Sequence, residues 1–130
     1  MSDYIADTHS LLWYFAQPHR LGPQATAALA EVTAGTANLI VPIITLAEMI
    51  FVLESRRVQA DFNTIIRTLQ AMPNAQIVGF SLIRTLDLRT LTAIPEMHDR
   101  MIVAEAIAYG ATLITRDTTI TNSGLVRVVW

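Results

Sequence analysis

Cysteine is absent from the 130 residues, which removes disulfides, thiolate metal sites and a cysteine nucleophile together. Lysine is absent too: all nine basic residues are arginines, at positions 20, 56, 57, 67, 84, 89, 100, 116 and 127. Charged residues make up only 15% and hydrophobic residues 52%, a balance that excludes intrinsic disorder. The uncharged stretch Val32 to Ala47 is interrupted by Gly35 and Pro42 and is too polar to span a bilayer. Met1 to Asp7 holds two aspartates and no basic residue, unlike a secretory signal. Neither an internal repeat nor a low-complexity tract is present. The expectation is one domain, residues 1–130, soluble and cytoplasmic, with no membrane contact.

A formal net charge of −2 gives no direct support to nucleic-acid binding, which usually shows as a basic balance. Arginine does offer a planar fork suited to phosphate, although a preference for arginine codons explains the missing lysines equally well.

What is there is an alternation of short apolar runs with helical patterns. Tyr4 to Ala6, Asn38 to Val41, Gln76 to Gly79, Thr112 to Thr115 and Val126 to Val129 read as strands. Between them, helices are expected over His9–Ala16, from Gly22-Pro23 to about Thr33, and from Thr45 to about Arg57. Further helices are expected from near Asp61 to before Pro73, from an N-cap at Ser81 to about Leu91, and over Asp99–Tyr109, ended by Gly110. Strands that are apolar throughout, alternating with helices, indicate an α/β domain whose mainly parallel sheet is covered on both faces.

Ligands of open α/β sheets bind beyond the carboxyl ends of the strands, and acids stand at such positions. Asp7 ends the first strand, Asp117 follows the strand ending at Thr115, and Asp99 opens a helix. Glu48 is the only charge in Ile43 to Leu53, IITLAEMIFVL. A helix that apolar is expected to be buried on most faces, so the carboxylate needs a partner or a metal. No arginine lies within a helical turn of it.

Each acid also has a purely structural explanation. Asp7 and Asp99 suit helix N-caps, Asp117 an ordinary turn, and Glu48 a buried ion pair with a distant arginine. One shared site is the more economical account. An oxygen-only site suits Mg2+ or Mn2+ rather than zinc or copper; such ions would relieve the repulsion between carboxylates and activate a water. Of the eleven acids, setting these four aside leaves seven against nine arginines, so the remaining surface is mildly basic.

These residues resemble a known family. Ile5-Ala6-Asp7-Thr8-His9-Ser10-Leu11-Leu12-Trp13, Val41-Pro42 with Thr45-Leu46-Ala47-Glu48, Pro95 to Ala104, Gly110 to Asp117 and the ending Val126 to Trp130 are similar to the PIN-domain nucleases. Within them they resemble the VapC-like ribonuclease toxins of toxin–antitoxin pairs. The resemblance runs over essentially the whole chain.

It implies a Rossmann-like three-layer α/β/α sandwich and Mg2+- or Mn2+-dependent endonucleolytic cleavage of RNA. The metal-binding acids carry over to Asp7, Glu48, Asp99 and Asp117, the last being the most variable in role. Thr8 and Thr115 occupy hydroxyl positions near the site, Thr115 with a supporting or water-orienting part. Arg100 and Arg116 each adjoin a proposed ligand and suit substrate phosphate, an antitoxin acid or simple charge balance. The resemblance also implies a homodimer and a small inhibitory antitoxin. Many relatives carry an Asp-Pro-Phe-Asp-Arg type sequence where this chain has Glu96-Met97-His98-Asp99-Arg100, so the rim of the pocket differs.

Two other functions fit the same residues, a housekeeping RNA-processing nuclease and a catalytically silent binding module. Trp13, Tyr14 and Phe15 read as core or dimer surface. His98 suits a substrate contact but reads more readily as a packed or solvent-facing loop residue, and His9 and His19 read as incidental.

Overall fold

Short aliphatic runs become strands here because helices can cover both of their faces. The strands are β1 (Ser2–Ala6), β2 (Ala37–Pro42), β3 (Ala75–Val78), β4 (Thr112–Ile114) and β5 (Val128–Val129). In the computed structural model, which describes residues 1–130, they form one parallel sheet in the order β3-β2-β1-β4-β5. The helices are α1 (Thr8–Ala16), α2 (Pro23–Ala34), α3 (Ile43–Glu54), α4 (Phe62–Ala71), α5 (Leu82–Asp87), α6 (Met97–Tyr109) and α7 (Thr118–Ser123). Single 3-10 turns follow α1 at Pro18–Arg20 and α5 at Leu88–Thr90.

Alternation along each strand divides the interior in two. Ala6, Leu39, Val41 and Ile114 face a core shared with Leu12 of α1, Leu29 of α2, Met49 of α3 and Leu69 of α4. Ile5, Ile40 and Leu113 face the opposite core, built with Ile102 and Val103 of α6 and Ile120 of α7. The result is the expected three-layer α/β/α sandwich, with apolar side chains on both sides of every central strand. None of its helices is long and apolar enough to cross a membrane.

The topology selects one place for a site. From β1 the chain moves outward through β2 to β3, then returns through α5 and α6 to lay β4 on the other side of β1. Strand order therefore reverses between β1 and β4, where the last residues of the two strands, Ala6 and Ile114, stand in register. Crevices at such reversals are where this class of sheet binds ligands.

Several elements depart from the sequence reading. Helix α6 begins at Met97, because Glu96 rather than Asp99 supplies the N-cap oxygen. Helix α3 starts directly at Ile43 after Pro42 and stops at Glu54, near Arg56, whose φ of 61° is left-handed.

Helix α7 was not expected from TTITNS, a threonine-rich segment of low helix propensity. It forms because Asp117 caps its first turn, Ile120 is buried and Gly124 turns left-handed behind it.

The burial expected of α3 is also corrected. Only Thr45, Leu46 and Met49 are buried, whereas Ile43, Ile50 and Phe51 are exposed, Phe51 at 73%. An apolar sequence reports a preference for burial, and this chain alone provides no cover for that face.

Gly22 marks a close approach at the other edge of the sheet. A Cβ there would meet the backbone carbon of Trp130 at 2.6 Å. The terminal residue is held in place by Gln24, whose N–H donates to the Trp130 carbonyl at 3.1 Å. The Trp130 ring then packs edge-on against Trp13, centroids 6.0 Å apart.

Candidate active site

At the reversal point the backbone pins Asp7 against β4, its N–H donating to the Ile114 carbonyl at 3.1 Å. One carboxylate oxygen of Asp7 accepts the N–H of Ser10 at 2.9 Å and so caps α1. The other accepts the hydroxyl of Thr115 at 2.5 Å. Thr115, fully buried, in turn accepts the N–H of Asp117 at 3.1 Å. That single hydroxyl thus links the acids that follow two strands and uses both its donor and an acceptor lone pair. Asp117 spends one oxygen on the Ile120 N–H at 2.9 Å. The cap considered for Asp7 is real, Asp117 caps α7 where the sequence suggested an ordinary turn, and the cap considered for Asp99 is supplied by Glu96 instead.

Glu48 reaches the crevice from α3. Thr8, the first residue of α1, donates its hydroxyl to Glu48 Oε1 at 2.8 Å. On the other oxygen, Oε2, the nearest cation-forming group is His98 Nδ1 at 3.7 Å. No arginine pairs with Glu48, and its side chain is 29% exposed. The buried arginine pair considered from the sequence is therefore absent, because the open face of α3 leaves the carboxylate in contact with solvent. His98 Nδ1 also lies 2.7 Å from Glu96 Oε1. A chain of polar groups runs from Thr8 through Glu48 and His98 to Glu96.

Asp99 sits within this ring. Its backbone N–H donates to Glu96 Oε2 at 2.7 Å, while its own carboxylate accepts no hydrogen bond and joins no ion pair. Burial pushes its pKa up to about 6, helped by the charges of Glu96, Asp117, Glu48 and Asp7 in that order. Asp99 is thus a carboxylate left uncompensated among four others. Glu96 moves the opposite way. Burial would raise it, but the N–H groups of Asp99 and His98 and the His98 ring outweigh burial and hold it below the usual range.

Asp7, Thr8, Glu48, Glu96 and Asp99 line a cleft of about 270 Å³. All its donors apart from nearby histidine are oxygens, the set that hard cations prefer. As the side chains stand, no group of three acids or histidines is arranged to enclose an ion. A magnesium ion keeps several of its waters and needs only one or two direct carboxylates, so an open acidic cleft of this size fits a hydrated divalent cation.

A family model for the PIN domain matches residues 4–123. The chain belongs to the PIN-domain family. Solved structures of similar fold include VapBC2 from Rickettsia felis bound to a DNA fragment from their promoter, at 21% identity and a TM-score of 0.67, covering 98% of this chain and 97% of that one. A toxin–antitoxin complex from Klebsiella pneumoniae matches at 22% identity and 0.62, covering 98% and 96%. FitAcB from Neisseria gonorrhoeae matches at 22% and 0.60, again covering 98% and 96%. At such identities the likeness is one of fold. No curated protein matches the chain.

In this PIN domain the two arginines beside the acids part company. Arg100 does not reach the site: its guanidinium donates to the carbonyls of Ile94 at 2.8 Å and Leu88 at 3.3 Å, tying the loop before α6 to the turn after α5. Of the parts that suit it by sequence, substrate phosphate, an antitoxin acid or charge balance, these contacts display none, and what they show is a tie between two backbone segments. Arg116 stays at the crevice, exposed, with its guanidinium 4.7 Å from the centroid of the Trp13 ring.

Reasoning from sequence gave no role to Glu96 or His9, and weighed His98 as a substrate contact without placing it beside Glu48. Glu96 stands three residues before Asp99, the spacing of a cap to its N3 residue, and that signal was available. His98 follows from the same turn, whereas His9, which borders the crevice, carries no sequence signal of its role.

Proposed function

We propose that this PIN domain is a metal-dependent endoribonuclease that hydrolyses RNA phosphodiester bonds in the cytoplasm as the toxin of a toxin–antitoxin pair. The observation that carries this reading is Asp99, a half-buried carboxylate with no partner, raised by burial and then by the four acids around it. The reading is supported by the toxin–antitoxin identity of the proteins that share the fold.

Asp7, Glu48, Asp99 and Asp117 would hold Mg2+ or Mn2+. When bound, the ion supplies charge stabilisation at the phosphate and lowers the pKa of its water. The chain supplies the rest. Thr115 holds Asp7 in one rotamer, and Thr8 does the same for Glu48. Pinning the ligands in advance avoids reorganisation during the reaction. His98 stands between Glu48 and Glu96, 3.7 Å from the first and 2.7 Å from the second.

A homodimer and a small antitoxin belong to the same reading. Ile43, Ile50 and Phe51 of α3, with Leu82, Ile83 and Leu86 of α5, are exposed apolar side chains that such contacts would cover.

Incubating the purified chain with RNA tests the activity. Cleavage should stop in EDTA and return with Mg2+ or Mn2+, and return poorly with Ca2+, whose looser coordination positions water less well. Full cleavage in chelator, or none with either metal, would overturn the proposal.

A further inference from the structure

The acidic cleft adjoins a second one of different chemistry. This neighbour, about 400 Å³, is lined by Asp7, His9, Trp13, Arg116, Asp117 and Thr118 among others. Asp7 and His9 line both clefts, so the two lie side by side along the end of β1. One holds Glu48, Glu96 and Asp99, the other Asp117 and an arginine, and Asp7 stands between them.

Arg116 is the cation of this cleft, and it forms no ion pair with any carboxylate, though its chain neighbour is Asp117. Its guanidinium instead lies over Trp13, 4.7 Å from the ring centroid. That ring is a fixed support. Trp13 is only 3% exposed, Trp130 packs on it edge-on and Arg20 approaches it at 5.7 Å. The Trp130 side of this support depends on Gly22, where any Cβ would collide with Trp130.

Stacking on an aromatic face orients a guanidinium while leaving the N–H donors at its edge free. A pre-oriented, unpaired fork beside a cluster of acids is a binding element for an anion, since planar bidentate donors match phosphate. His9, exposed on the ridge between the clefts with its ring 5.7 Å from Trp13, adds a second polar group at the same rim.

We propose that Arg116, supported by Trp13 and flanked by His9, is a subsite for the RNA phosphodiester next to the one that is cleaved. A single strand then lies along both clefts, its scissile phosphate beside Asp7 and the adjoining phosphate on Arg116. This rests on the ribonuclease reading above. It adds where the strand runs, and it explains how a polyanion is held against a site whose own side chains are negative. Of the three parts that suit Arg116 by sequence, substrate phosphate, an antitoxin acid or simple charge balance, an unpaired fork in the cleft beside the acidic one favours the phosphate.

Binding of a short fluorescent single-stranded oligoribonucleotide to the chain carrying Asp99→Asn, which prevents cleavage, tests the subsite. Adding Arg116→Ala should weaken binding roughly tenfold. It should also reduce the slope of log K against log salt by about 0.7, the loss of one phosphate contact on a single strand. Arg116→Lys should keep that slope, because the charge remains, and lose part of the affinity, because an ammonium neither stacks nor forks. Unchanged affinity and slope in Arg116→Ala, with the host still binding RNA, would overturn the subsite and leave the nuclease reading standing. A host that binds no RNA at all would overturn both.

Discussion

Asparagine at position 99 would keep the shape of the side chain and remove the charge that burial and four neighbouring acids oppose. The Asp99 carboxyl is raised from its ordinary 3.8 to about 6 in the folded chain, so between those values the native state holds a proton that the unfolded chain has released. Stability from this group is therefore complete below the unfolded value and is lost as pH rises through about 6. At full value the rise corresponds to about 3 kcal/mol; with the group roughly half open to solvent, screening reduces it to about 1 kcal/mol.

Asp99→Asn should consequently be more stable than the wild type in EDTA at neutral pH, its melting temperature higher by roughly 3–5 °C. The difference should vanish in acid, where Asp99 of the wild type is protonated. In Mg2+ the order should reverse. The wild type gains stability from an ion that binds only the native state, about 2.7 kcal/mol at a hundredfold excess over Kd, and the variant loses most of that gain along with RNA cleavage. Thermal melting of both proteins, with and without Mg2+ and across this pH range, measures every term. A variant that melts well below the wild type in EDTA while keeping the Mg2+ shift would refute the reasoning, because Asp99 would then be architecture.

Thr115→Ala would leave an oxygen of Asp7 and the N–H of Asp117 without their shared partner, at a cost of about 1–3 kcal/mol and with a marked loss of cleavage. Thr115→Ser should restore both in urea unfolding and activity assays, and equal behaviour of the two variants would show that the hydroxyl is dispensable. On the far face, Arg84 donates to Glu105, which is only 2% exposed, at 3.1 Å. Burial raises the Glu105 carboxyl and Arg84 opposes the rise, so Arg84→Ala should destabilise the fold by about 3 kcal/mol at neutral pH. The loss should shrink in mildly acidic buffer, where Glu105 takes up a proton, and a pH-independent loss would count against the pairing.

Much of the architecture was written locally. Apolar strands between helical patterns announced a parallel sheet covered on both faces, and breakers such as Gly110, with its φ of 61°, placed the ends of elements. Asp7 and Asp117 were legible because an acid just after an aliphatic strand has few other places to be in an α/β fold. Glu48 was legible as a lone charge among apolar residues, although the reason given for it, burial on most faces of α3, did not hold.

What only the tertiary structure decided depends on pairings between distant residues. Strand order, and with it the reversal point, comes from β1 choosing β2 and β4 as neighbours. The hydroxyl that joins Asp7 to Thr115 spans 108 positions, and the pKa of Asp99 is raised first by burial and then by Glu96, Asp117, Glu48 and Asp7. Arg100 and Arg116 look alike in sequence, each beside a proposed ligand, yet one is consumed by backbone carbonyls and the other lies on Trp13. Periodicity and capping are read within one or two helical turns. Electrostatic coupling and side-chain direction are settled only when packing brings remote segments within a few ångströms of each other.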